Sequence, residues 1–196
     1  MRTVTALRSA GRRRVAVELD GEAWRTLPLE AVVRAGLGNG VVLDRPRART
    51  LARELRRLAA LQTATSALRR RDRSARELRE RLEDRGVSPV DRERTLATLE
   101  SAGLLDDRRV AHERARALAG RGSGDELIRD DLGRRGLAAD EIESAVAELP
   151  PEAERAAAVV ARRGPGPKTA RYLASRGFGE DALTLAVAAE DQATLG

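Results

Sequence analysis

Residues 73–110, RSARELRERLEDRGVSPVDRERTLATLESAGLLDDRRV, decide the fold, because the chain then repeats their pattern twice. Ser74 and Glu77 form a Ser-x-x-Glu capping box, in which each side chain satisfies a free backbone N–H, so a helix is predicted to start there. Leu78 and Leu82 share one face of that helix, and Gly86 supplies the left-handed residue that ends it. Ser88-Pro89 opens a second helix, because Pro at the first helical position loses no hydrogen bond. Leu96 and Leu99 give this second helix its apolar face.

Three Arg-Gly pairs bring the repeats into register: Arg85-Gly86, Arg135-Gly136 and Arg176-Gly177. Four residues before each glycine stands Leu82, Leu132 or Leu173, and directly after it Val87, Leu137 or Phe178. Nine residues beyond that apolar side chain come Leu96, Val146 and Val187. The register describes a helix, a tight glycine turn and a second helix, a unit too thin to bury its own apolar face, which must therefore stack on its neighbour.

These stretches carry a resemblance. Residues 73–82, the run Gly103-Leu104-Leu105-Asp106-Asp107 with Ala111, residues 122–136 and Ser175-Arg176-Gly177-Phe178 together resemble the signature stretches of the RecX family, over residues 69–189 and more weakly before them. The resemblance implies a regulator of the RecA recombinase, active in DNA repair, recombination and the SOS response. Such a protein lies in the groove of the RecA filament on single-stranded DNA and opposes its extension, ATPase or strand exchange.

Composition bounds the rest. With 41% hydrophobic but only 2% aromatic residues, the core must be Leu, Val and Ala packed between helices. Repeats of this size predict an elongated monomer. There is no cysteine, which excludes disulfides and thiol chemistry and agrees with a reducing compartment. No apolar run is long enough to span a bilayer and no signal peptide is evident, so a cytoplasmic protein is expected. The net charge of +6 is graded: residues 1–68 carry +7, 69–121 carry +4 and 122–196 carry −5. The gradient suggests a polyanion along the N-terminal half and a different partner surface at the C-terminal end.

In chain order, residues 3–7 and 15–19 alternate as strands, and Asp20-Gly21 predicts a type I′ hairpin turn. Residues 29–35 read as a short helix and Asn39-Gly40 as a turn into the strand 41–43. Gly36, Gly38 and Gly40 have the wrong spacing for a dinucleotide or phosphate loop and read as turn glycines. Helices are then expected over 47–70, 74–85, 89–102, 107–119, 123–135, 139–148, 151–163, 167–176 and 180–190. The fold class is mainly α: a β-rich module (1–45) followed by three-helix repeats at 46–104, 105–150 and 151–196. The first helix places Leu51, Leu55, Leu58 and Leu68 on one stripe and a basic face opposite.

The nucleic-acid-binding candidates lie on and after that basic face: Arg49, Arg53, Arg56, Arg57, Arg69, Arg70, Arg71, Arg73 and Arg76. Asp106-Asp107 read as caps of the fourth helix of the repeats rather than a metal pair. His112 reads as a packing or surface residue, and Gly164-Pro165-Gly166-Pro167 as a hinge or a rigid elbow. No nucleophile motif, metal cluster or cofactor loop is present, so catalysis, metal and cofactor are not expected. Two binding classes remain, a filament regulator and a helix-turn-helix transcriptional regulator. A recognition helix needs Arg, Asn or Gln at its exposed start. Here Asp91, Asp140-Glu141 and Glu180-Asp181 stand in those positions, which favours sequence-independent backbone contact with protein contact from the repeats; the resemblance implies that the strand contacted is single-stranded DNA. Trp24, Tyr172 and Phe178 are the only aromatics, too few for a stacking platform.

Overall fold

The structure, a computed structural model, describes residues 1–194, with side chains as far as Val187. Strands β1 (Arg2–Ser9), β2 (Arg14–Leu19) and β3 (Glu22–Pro28) are followed by helix α1 (Leu29–Arg34) and the short strand β4 (Val42–Leu43). They form one antiparallel sheet in the order β3-β2-β1-β4. The Asp20-Gly21 turn is present, with φ of 53° and 83°. It is pinned from β1: the Thr3 N–H donates to the Asp20 carboxylate at 2.8 Å, and the Gly21 N–H donates to Thr5 Oγ1 at 2.9 Å. One sheet face sends Val4, Val17, Leu19 and Leu27 into a core with Ala31, Val32 and Leu37.

Among the described residues nine further helices follow: α2 (Arg45–Leu68), α3 (Ala75–Glu83), α4 (Pro89–Ser101), α5 (Asp107–Gly120), α6 (Asp125–Arg134), α7 (Ala139–Ala147), α8 (Glu152–Arg163), α9 (Pro167–Ser175) and α10 (Glu180–Thr194). Each expected helix is found with its ends within two residues, apart from the last, which runs on to Thr194. The unit expected over 151–196 ends in residues 195 and 196, which lie outside the described ones.

The Arg-Gly register is a helix-ending motif in which the residue after the glycine bonds back to the leucine four residues before it. The N–H of Val87 donates to the Leu82 carbonyl at 3.0 Å, Leu137 to Leu132 at 3.4 Å and Phe178 to Leu173 at 3.2 Å. Leu82, Leu132 and Leu173 are fully buried. Burying such a side chain is worth about 1.5–3 kcal/mol, so the recurrent leucine is a packing position as well as a turn position. One matched position departs from expectation. Leu96 and Val146 are buried, but Val187 is 42% exposed and Ala186, one residue earlier, is fully buried. The third hairpin turns its small residue inward where the first two also bury Thr95 and Ala145.

The chain forms two compact units, Met1–Arg70 with Arg81–Thr98, and Arg71–Glu80 with everything from Leu99 onward. Within the second unit, successive hairpins are stitched by the same device used twice. Asp107 accepts the Ala75 N–H at 2.8 Å, and Glu152 accepts the Asp125 N–H at 2.6 Å, so an acid at the start of a later helix caps an earlier one. The expectation that both Asp106 and Asp107 cap their own helix is thus half right. Asp106 accepts the Arg109 N–H of α5 at 2.9 Å, while Asp107 serves α3. Burial pushes the Asp107 carboxyl above its usual value.

The Arg-Gly turns complete the stitching. Ser74 Oγ donates to the Arg135 carbonyl at 2.6 Å, and the Gly124 N–H donates to the Arg176 carbonyl at 2.8 Å. The Arg176 guanidinium donates to the carbonyls of Arg121 and Gly122 and to Ser123 Oγ. The capping box is only half formed: Ser74 Oγ accepts the Glu77 N–H at 3.1 Å, but Glu77's carboxylate is held by Arg71 and Arg135 instead. The Gly164–Pro167 turn is braced, with the Gly166 N–H donating to the Ala186 carbonyl at 2.9 Å and Thr169 Oγ1 to that of Gly164 at 2.7 Å.

Candidate nucleic-acid interface

Helix α2 positions the first four candidate arginines. Asp44 caps it, accepting the Arg47 N–H at 2.9 Å, and Pro46 stands in its first turn. At about 100° per residue, Arg49, Arg53 and Arg56 fall within about 60° of one another on the helix, and Arg57 lies at the edge of that face. Arg49, Arg53 and Arg56 are exposed. Leu51, Leu55 and Leu58 pack on the sheet core from the opposite side.

The buried side then changes. Ala60, Ala64 and Ala67 are 1%, 0% and 6% exposed, and by helical angle they continue the face that carries Arg49. The expected single leucine stripe therefore holds only as far as Leu58; Leu68 is half buried beside a separate alanine stripe. This confines the basic face to the first half of α2. Arg69 and Arg70 form a second exposed group at the helix end, about 30 Å along the axis from Arg49.

The nine candidates differ in how far the protein already uses them. Arg49, Arg69 and Arg70 form no ion pair among the described residues. Arg53 lies 3.8 Å from its neighbour Glu54, and Arg56 lies 3.8 Å from Asp91 at the start of α4. Arg57 donates to buried Glu54 at 2.8 Å and also pairs with Glu30. That hydrogen bond holds the Glu54 carboxyl below its usual range against the cost of burial.

In the second unit, Arg71 grips Glu77 through two nitrogens at 3.1–3.2 Å, and Arg76 pairs with Glu80 at 3.0 Å. Arg73 is half buried and already engaged within the protein. Sequence spacing identified which arginines share a helix face. It did not show which ones neighbouring carboxylates occupy.

Each second helix of a hairpin begins with acid, as read from the sequence: Asp91 in α4, Asp140 and Glu141 in α7, and Glu180 and Asp181 in α10. Asp91 also accepts the hydroxyl of Ser88 at 2.8 Å. Of the aromatics, Phe178 is buried in the third hairpin's core and Trp24 packs against the sheet core, with Arg25 over its ring. His112 is buried, its Nδ1 2.9 Å from the Glu148 carboxylate. Among the described residues no cluster of His, Cys, Asp and Glu could hold a metal ion, and no helix is long and apolar enough to cross a membrane.

Further arginines were missed by the sequence reading. Arg85 and Arg94 are exposed in the unit that holds α2, and Arg121, Arg162 and Arg163 are exposed in the other. The signal passed over for the last two was their position in the final turn of α8, where cations complement the helix dipole in any case.

No family model matches the chain. It is 38% identical to the regulatory protein RecX of Chromohalobacter salexigens over 125 residues, which cover 59% of this chain and 82% of that protein. It is 35% identical to the regulatory protein RecX of Deinococcus radiodurans over 158 residues, 76% of each chain. A crystal structure of a regulatory protein RecX superposes with a TM-score of 0.79 over 95% of this chain and 98% of that one, at 18% identity. That of RecX from Lactobacillus salivarius gives 0.59 over 67% and 94%, at 17% identity.

Proposed function

Because the chain belongs to the RecX family of regulatory proteins, we propose that it is a non-enzymatic regulator of homologous recombination and DNA repair that binds the RecA–single-stranded DNA filament. It inhibits the filament's ATPase, extension and strand exchange. The observation that carries this reading is the match to a RecX protein over three quarters of both chains. The side chains agree with its chemistry. Exposed Arg49, Arg53, Arg69 and Arg70 supply phosphate contacts without base selectivity, whereas the acidic starts of α4, α7 and α10 would repel a duplex groove and disfavour a helix-turn-helix transcriptional regulator.

The three-helix repeats at 46–104, 105–150 and 151–196 are the functional units of this reading, and the chain works as a cytoplasmic monomer. The test is RecA ATPase on single-stranded DNA with this protein at substoichiometric amounts. Inhibition at well below one copy per RecA is expected; an unchanged rate at every ratio would refute the proposal.

A further inference from the structure

The C-terminal segment carries net negative charge, yet one of its cavities is cationic. A cavity of about 360 Å³ is lined by Gly120, Arg121, Gly122, Val159, Arg162, Arg163 and Tyr172, three arginines and no carboxylate. None of the three guanidinium groups has an acidic partner among the described residues. Arg162 donates only through Nε, to the Ala158 carbonyl of its own helix at 3.2 Å. Arg121 is tied through its main-chain carbonyl, which accepts from Arg176, leaving its own side chain to the cavity. The Arg163 guanidinium lies 4.0 Å from the centre of the Tyr172 ring, which covers one of its faces.

Two glycines keep this wall bare. Gly122 has a φ of +77°, which the turn after α5 requires. Gly120 ends α5 with no such requirement, and nothing lies within 4 Å of where its Cβ would stand. Alanine would fit there and favour the helix by about 1 kcal/mol, so the fold does not explain the glycine.

We propose that this cavity binds phosphate groups of single-stranded nucleic acid, a second contact apart from α2. Arginine forks match phosphate oxygens in pairs. With the Tyr172 ring on one side of the Arg163 guanidinium, its other side is left for an unstacked base, which a peptide carboxylate would not use. The inference rests on the DNA-binding part of the proposed function.

The test is fluorescence anisotropy of a labelled oligo-dT with the full chain across a salt series. Arg121→Gln with Arg162→Gln should lower the magnitude of the log–log salt exponent by about 1.4, at about 0.7 per single-strand contact. Arg163→Lys should weaken affinity while leaving the exponent unchanged, because charge is kept and stacking lost. Neither glutamine change removes an ion pair, so thermal unfolding should stay at the wild-type midpoint. If the glutamine pair keeps the wild-type exponent while Arg49→Gln with Arg70→Gln lowers it, the cavity site is refuted and the wider reading stands. If the wild-type chain neither binds oligo-dT nor affects the recombinase, both fall. Competition by ATP as strong as by oligonucleotide, or loss of poly-glutamate binding with DNA binding intact, would also overturn the assignment to a strand.

Discussion

Replacing Gly177 by Ala tests whether the Arg-Gly turns join successive hairpins or merely end helices. Gly177 has a φ of +75°, and a Cβ there would stand 2.6 Å from both the backbone N and the Cβ of Leu127 and 3.1 Å from its Cα. Gly122, in the same compact unit, has a φ of +77° and nothing within 4 Å of its Cβ position. Both substitutions meet the left-handed backbone cost of about 1–2 kcal/mol. Only Gly177→Ala adds overpacking against a fixed backbone, about 1–3 kcal/mol. The expected difference is therefore about 1–3 kcal/mol, read as a shift in urea midpoint at constant slope by circular dichroism. Equal midpoints for the two variants would mean that α6 does not rest on the third turn, and the stitched arrangement would be wrong.

The remaining expectations concern charge. The Asp131 carboxyl is held at about 2, against an ordinary 3.8, chiefly by the hydrogen bond from Arg114 and also by Arg135. A depressed value means its contribution, at most about 2 kcal/mol, is complete above pH 4 and lost as pH falls towards 2. Acid titration of stability should therefore flatten in that window for Asp131→Asn, and an unchanged acid slope would contradict the assignment. Asp107→Ala should cost about 1 kcal/mol by leaving the Ala75 N–H without its acceptor, while Asp107→Asn, which keeps the acceptor oxygen and removes the desolvated charge, should be close to wild type in thermal unfolding. Oligo-dT affinity should depend little on sequence, and Arg49→Gln, Arg69→Gln and Arg70→Gln together should lower the salt exponent by about 2; a strong preference for one duplex sequence would favour the transcriptional-regulator reading.

The fold was legible where local chemistry decides it. Asp20-Gly21 allows little but a hairpin, and Leu-x-x-x-Gly followed by an apolar residue spells the helix ending seen three times. What stayed hidden depends on partners distant in sequence. Nothing near Asp107 in the chain points to Ala75, 32 residues earlier, as the N–H it caps. The arginine of each later Arg-Gly pair served only to mark the register, yet Arg135 reaches Glu77 and Arg176 binds three acceptors in residues 121–123. Alanine carries almost no pattern signal, so the stripe of Ala60, Ala64 and Ala67 was outweighed by the leucines. The same weakness placed Val187, the larger side chain, in the core position that Ala186 takes.

At the candidate site, summed charge and unpaired charge make opposite predictions. A value of −5 over residues 122–196 suggests that this segment would repel DNA, so that removing residues from Pro151 onward should leave DNA binding intact or stronger. The carboxylates behind that sum are partly consumed: Asp131 by Arg114 and Arg135, Glu143 by Arg129, Asp125 by Arg155. Arg162 and Arg163 are not consumed, and together with Arg121 they line one cavity. Phosphate binding answers to the unpaired cations within reach, because the field of a compensated pair falls off quickly beyond a screening length of about 8 Å at physiological salt. A count of arginines without carboxylate partners therefore predicts that removing α8 and α9 weakens single-strand binding, whereas the net-charge count predicts the reverse. Oligo-dT anisotropy on a chain truncated before Pro151 decides between the two, once circular dichroism shows that the remaining helices are retained.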